Sequence, residues 1–140
     1  MDTIIYKLPI DVVNKIIPYT YNLQNVDLLD DIKNYKRTKT LLFELYHKYW
    51  IMDLNSDYLE DKNWLINDII SYANDYNATM FGYDEKFYNI LKRNMSLQTK
   101  EKIDKYMENL YKKNVTTQIS IFLGLLTINE RNEVISNFIL

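Results

Sequence analysis

An all-α fold is what this sequence predicts: one domain over 1–140, a bundle of about six helices with one long helix over about 26–52. Three observations predict it. Apolar residues recur at three- and four-residue spacings in every long segment. Only two glycines and two prolines interrupt 140 residues, too few for a disordered linker or a many-turned β-sandwich. The apolar share of 47% and charged share of 26% are those of an ordinary globular chain, and a chain of this length buries about two-thirds of its unfolded surface.

The elements follow in order. "KLPIDVVNKIIPYTY" predicts a short helix over 11–17, with Pro9 near its start, where a missing N–H costs nothing. Pro18 disfavours helix at Ile17 and ends it. Leu8, Val12, Val13, Ile16 and Ile17 form its apolar stripe, expected to pack on Leu28, Ile32 and Tyr35 of the long helix. The long helix carries Leu28, Leu29, Ile32, Tyr35, Leu42, Leu45, Tyr46 and Tyr49 at helical spacing, with Glu44 and Lys48 as a favourable i,i+4 pair. A third helix over 61–76 faces inward through Leu65, Ile66, Ile69, Ile70 and Ala73. Gly82 marks a break, and a helix over 84–93 follows with Phe87, Ile90 and Leu91 inward. The next, over 99–112, uses Ile103, Tyr106, Met107 and Leu110, with Glu101 and Lys105 paired. The stretch 115–140 is the most apolar. Thr127 and Glu130 have the spacing of a capping box and split it into two helices. No repeat is visible.

Composition removes several chemistries. The chain has no cysteine, hence no disulfide, thiolate zinc site or cysteine nucleophile. No nucleophile elbow, glycine-rich phosphate loop or HExxH pattern is present. No catalytic residue, cofactor or metal is therefore expected, and the chain reads as non-enzymatic. The N-terminus has no signal-peptide pattern, so a cytosolic setting is the expectation. The longest apolar stretch, 119–126, is far short of the roughly 20 residues that span a bilayer. A net charge of −2 argues against a protein devoted to phosphate backbones. Lys33, Lys36, Arg37 and Lys39 do cluster, a candidate nucleic-acid patch. Asp27, Asp30 and Asp31 precede them, however, which is the order a solvated helix face takes along its dipole.

Three other features have the residue types of a site. Asp53, Asn55 and Asp57 occupy the first, third and fifth places of a calcium loop, but Tyr58 and Trp64 stand where its glycine and bidentate glutamate belong. An acidic connector whose side chains make turns explains them better. His47, the single histidine, makes no zinc site alone and reads as a surface residue. Trp50 and Trp64 flank the connector and are candidates for partner docking. Most of the 13 tyrosines fall on or beside apolar stripes, as core rings whose hydroxyls reach water.

Leu8-Pro9, Ile16-Ile17 and Tyr19 resemble the opening of an F-box, with Trp50 in the place of its tryptophan. The resemblance implies that Leu8, Pro9, Ile16 and Ile17 contact the linker subunit of a cullin ubiquitin ligase, with 1–21 as the opening and 22–140 as a helical body. Over most of the chain, "PYTYNLQNVDLLDDIKNYKRTK", "HKYW", "EDKNWLINDIISYAND" and "QISIFLGLLTINERNEVI" resemble a family of small uncharacterised helical proteins of giant nucleocytoplasmic DNA viruses, such as mimivirus relatives. Abundant Asn, Ile, Lys, Tyr and Asp beside scarce Ala and Gly fit an A+T-rich genome. That resemblance implies a setting, the infected host cytoplasm (viral factory) or the virion, and no chemistry.

The leading expectation is a viral protein–protein interaction module with a viral or host protein partner, a second copy of the chain included, and no membrane. A ubiquitin-ligase adaptor is the alternative. A nucleic-acid-binding helical protein is the second alternative.

Overall fold

The structure, a computed structural model, describes residues 26–139. The chain divides into two units between Lys33 and Asn34, inside the first of the described helices. The expected opening helix over 11–17, with its docking onto Leu28, Ile32 and Tyr35, lies outside the described residues.

The regular structure is helical throughout: of the described residues, 75% lie in helix and none in a strand. Helix α1 (Val26–Tyr46) runs on as a π-helical segment, His47–Asp53, giving the expected long helix of 28 residues. After it come α2 (Glu60–Ala73), α3 (Glu85–Leu91), α4 (Lys100–Leu110), α5 (Val115–Leu125) and α6 (Ile128–Ile139). The observed helices differ from the expected ones by short ends, and the break at Thr127 is where the capping-box spacing puts it.

Within the second unit α2 is the hub. It packs mainly on α5, and also on the π-helical segment and α3, while α3 in turn meets α4. The reason is its sequence: Leu65, Ile69 and Ala73, at i, i+4 and i+8, are fully buried, with Ile66 and Ile70 beside them. Its main partner answers with Ile119, Phe122 and Leu123, all fully buried. At about 25 cal/mol per Å², each large apolar side chain buried in this way contributes about 1.5–3 kcal/mol.

The helix ends are local chemistry. Thr99 caps α4 by accepting from the Lys102 N–H, and Asn114 caps α5 by accepting from Thr117 N–H at 2.8 Å. The Thr127 capping box closes both ways: Thr127 N–H donates to Glu130 Oε1 at 2.8 Å and Glu130 N–H to Thr127 Oγ1 at 3.2 Å. Arg93 then clamps the α5–α6 corner from beyond the end of α3, donating to Glu130 Oε1 (2.6 Å) and Oε2 (3.1 Å) and to the Leu125 carbonyl (2.8 Å).

Helix α2 stops at Ala73, three residues short of expectation, in a Schellman turn without glycine. Tyr76 N–H reaches the Ser71 carbonyl at 2.7 Å, and Asp75 N–H that of Tyr72 at 3.2 Å. Asp75 (φ 54°) and Tyr76 (φ 62°) are both left-handed. Buried Asn74 holds the loop beyond: its Nδ2 donates to the carbonyls of Asn77 and Gly82, and its Oδ1 accepts from Asp84 N–H at 2.6 Å.

Candidate docking face and its cavity

Trp50 and Trp64, on either side of the acidic connector, come together as a parallel stack. Their ring centroids are 4.9 Å apart and the planes differ by 2°. The π-helical winding of 47–53 contributes to this. Wider than an α-turn, it takes the chain out of the α1 stripe, and none of its seven residues is buried. Tyr49, on that segment, meets Trp50 edge-on at 5.2 Å and Phe138 of α6 edge-on at 6.2 Å. Phe138 packs on Tyr46 at 4.5 Å. A continuous aromatic ridge thus runs Trp64, Trp50, Tyr49, Phe138, Tyr46. Tyr49 and Trp64 are exposed along it, with Met52, Leu54 and Tyr58 exposed nearby in the chain.

The ridge ends at a cavity of about 230 Å³ lined by Tyr46, Asp68, Ser71, Tyr72, Tyr76, Val134, Asn137 and Phe138. Tyr46, Tyr72 and Val134 are buried and form its floor, whereas Asp68, Tyr76 and Asn137 are exposed at its mouth. The Tyr46 hydroxyl donates to Asp68 Oδ2 at 2.6 Å. The Tyr72 hydroxyl donates to Glu133 Oε2, and Asn137 Nδ2 to the Tyr76 hydroxyl. Burial, then the carboxylate hydrogen bond, pushes both Tyr46 and Tyr72 well above the ordinary phenol value, so both stay neutral donors. Lys86 Nζ stands 3.8 Å from the Tyr72 ring centroid and donates to the Tyr72 carbonyl at 2.9 Å.

The other residues singled out in the sequence fall elsewhere. Leu8, Pro9, Ile16 and Ile17 lie outside the described residues. Lys36 and Arg37 are exposed on α1, as is Lys33 in the first unit. Lys39 is half-buried, its Nζ 5.9 Å from the ring centroids of both Tyr35 and Phe43. His47 is exposed, with Nδ1 3.4 Å from Asp61 Oδ2. Asn55 (φ 52°) and Leu59 (φ 71°) shape the acidic connector as turns, and among the described residues no three acidic or histidine side chains converge on a metal-sized site.

Two features are not signalled by the sequence pattern. One is the cavity, which α1, α2 and α6 build together. The other is Arg131, 1% exposed, whose Nε donates to the Leu123 carbonyl at 2.7 Å and whose Nη1 donates to Asn34 Oδ1 at 3.1 Å. No family model, curated protein or solved structure matches the chain.

Proposed function

We propose that the chain is a non-enzymatic protein-interaction module whose docking face is the aromatic ridge from Trp64 to Phe138. The observation that carries this reading is the pairing of Trp50, on the π-helical segment, with Trp64, on α2, into one partly exposed stack. Tryptophan and tyrosine are the side chains that most often anchor protein interfaces, because one ring removes much apolar area from water at little entropic cost. A stack already ordered in the free protein spends little further entropy on binding. On the resemblance to giant-virus proteins, the partner, viral or host, is to be sought in the infected cytoplasm or the virion.

Affinity capture from infected cells with the wild-type chain and with Trp64→Ala tests the reading. Circular dichroism controls for folding. A protein held by the wild type and lost from the variant is the expected result. An identical set of captured proteins, or none with the wild type, overturns it.

A further inference from the structure

We infer that the cavity at the end of the ridge is an ammonium pocket, and that the protein partner seats a lysine side chain in it. This deepens the docking reading above and rests on it.

Size comes first. The five heavy atoms that end a lysine side chain, at roughly 30 Å³ each (the share of a water in the liquid), come to about 150 Å³. A cavity of about 230 Å³ admits them. The walls suit a cation with an apolar stem. Val134 and the rings of Tyr46, Tyr72 and Phe138 meet the methylenes, and aromatic faces attract ammonium groups. The same geometry occurs beside the cavity, where the Lys86 ammonium stands 3.8 Å from the Tyr72 ring centroid.

The charge is of the right sign. Asp68 and Glu133 each give one oxygen to a tyrosine hydroxyl, which fixes the carboxylate and leaves its second oxygen for a donor. Among the described residues neither carboxylate has a cation within ion-pair distance. Asp68 is the carboxylate that lines the cavity; Glu133 and Lys86 both stand outside its lining, each beside Tyr72, where the Lys86 ammonium is pinned by the Tyr72 carbonyl. The wider surface agrees: residues 47–75 carry five carboxylates besides buried Asp61, against two lysines. A basic partner is drawn to such a face.

Tyr76 stands at the cavity mouth. The left-handed turn that ends α2 (Asp75 φ 54°, Tyr76 φ 62°) places it there. Its ring, 61% exposed, meets Tyr72 edge-on, and its hydroxyl takes a hydrogen bond from Asn137.

The test is a nitrogen-15 NMR titration of the whole chain, up to about 10 mM ligand. The probes are a blocked five-residue peptide with lysine between leucines, the same peptide with norleucine, and spermidine as a free amine. The lysine peptide is expected to shift Asp68, Tyr76 and Asn137 and to bind about fivefold tighter than the norleucine peptide, the size of one solvent-exposed ion pair. Spermidine is expected to bind more weakly, lacking ridge contacts. Asp68→Asn keeps an acceptor for Tyr46 and removes the charge, and it should abolish most of the lysine preference. Tyr76→Gly relieves the backbone and removes the ring, and it should lose the preference without a lower melting temperature. Equal binding of the two peptides, or a preference intact in Asp68→Asn, overturns the inference. Shifts confined to Trp50 and Trp64 overturn the pocket and leave the docking face standing. If no probe shifts the cavity residues the pocket fails, while the docking face is decided by capture with Trp64→Ala.

Discussion

Glu130 is the residue whose removal should reveal how the α5–α6 corner is held. It performs two tasks with one carboxylate. Its Oε1 accepts the Thr127 N–H at 2.8 Å, completing the capping box. Both oxygens accept from Arg93, at 2.6 and 3.1 Å. Loss of a helix cap costs about 1 kcal/mol. The ion pair is bidentate, but the Arg93 and Glu130 side chains are 39% and 19% exposed, so solvent screening limits it to about 0.5–1 kcal/mol. Glu130→Ala should therefore destabilise by about 1.5–2 kcal/mol. Glu130→Gln keeps an acceptor that suits a capping box and loses only the charge, so it should cost about 0.5–1 kcal/mol. At roughly 2–4 °C per kcal/mol for a chain of this size, Glu130→Ala should melt about 3–8 °C below the wild type. Urea denaturation at neutral pH measures both variants. If glutamine proves as damaging as alanine, or if neither differs from the wild type by about 0.3 kcal/mol, the division into cap and ion pair is wrong.

Three further outcomes are expected. Burial works to raise the Glu130 carboxyl, but the Arg93 hydrogen bond, the Thr127 N–H and the Arg93 charge outweigh it and hold the group below its ordinary value; its stabilisation is thus present above the unfolded-state pKa, about 4.3, and lost as pH falls through the lower folded-state value. An acid titration of stability should show that loss in the wild type and not in Glu130→Gln. Gly82 has φ 104° and ψ 172°, and an added Cβ would meet nothing within 4 Å; Gly82→Ala should cost about 1–3 kcal/mol from backbone strain alone, read by urea denaturation. Asn74→Ala removes two donated hydrogen bonds and one accepted at a fully buried site and should cost about 2–3 kcal/mol, with hydrogen exchange rising over 74–84 ahead of the rest of the unit.

The helices are legible in the sequence because burial imposes a period. Leu65, Ile69 and Ala73 mark α2 as buried by their spacing alone, and Thr127 with Glu130 marks where α6 begins. Gly82 marks a turn because its conformation is one that glycine alone adopts readily. Other features leave no such trace. The Schellman turn after Ala73 uses Asp75 and Tyr76 in place of glycine, so the sequence predicts a helix three residues longer. The π-helical winding over 47–53 has no residue signature of its own, and without it the stacking of Trp50 on Trp64 cannot be derived. Arg131 carries a charge, which reads as surface, although its guanidinium satisfies a helix-end carbonyl and Asn34. Tyrosines on apolar stripes are expected in the core. Tyr46 and Tyr72 are there, while Tyr58 and Tyr76, next to turns, are exposed. The cavity joins Tyr46, Asp68 and Phe138 from three helices, a juxtaposition that only tertiary packing sets. The local pairs Glu44–Lys48 and Glu101–Lys105 have the right spacing but do not close to ion-pair distance; Lys100 instead reaches Glu85, at 3.6 Å.

The most direct test of the docking face is calorimetric affinity for the captured partner, measured with the wild type, with Trp64→Ala and with exposed Lys112→Ala, just past the end of α4, as a control. A central, partly exposed aromatic that anchors an interface loses about 2 kcal/mol or more on truncation, roughly thirtyfold in Kd. A loss of that size for Trp64→Ala, with Lys112→Ala unchanged, is the predicted result. Equal affinities for all three proteins, each shown to be folded, would contradict the assignment of the ridge as the docking face.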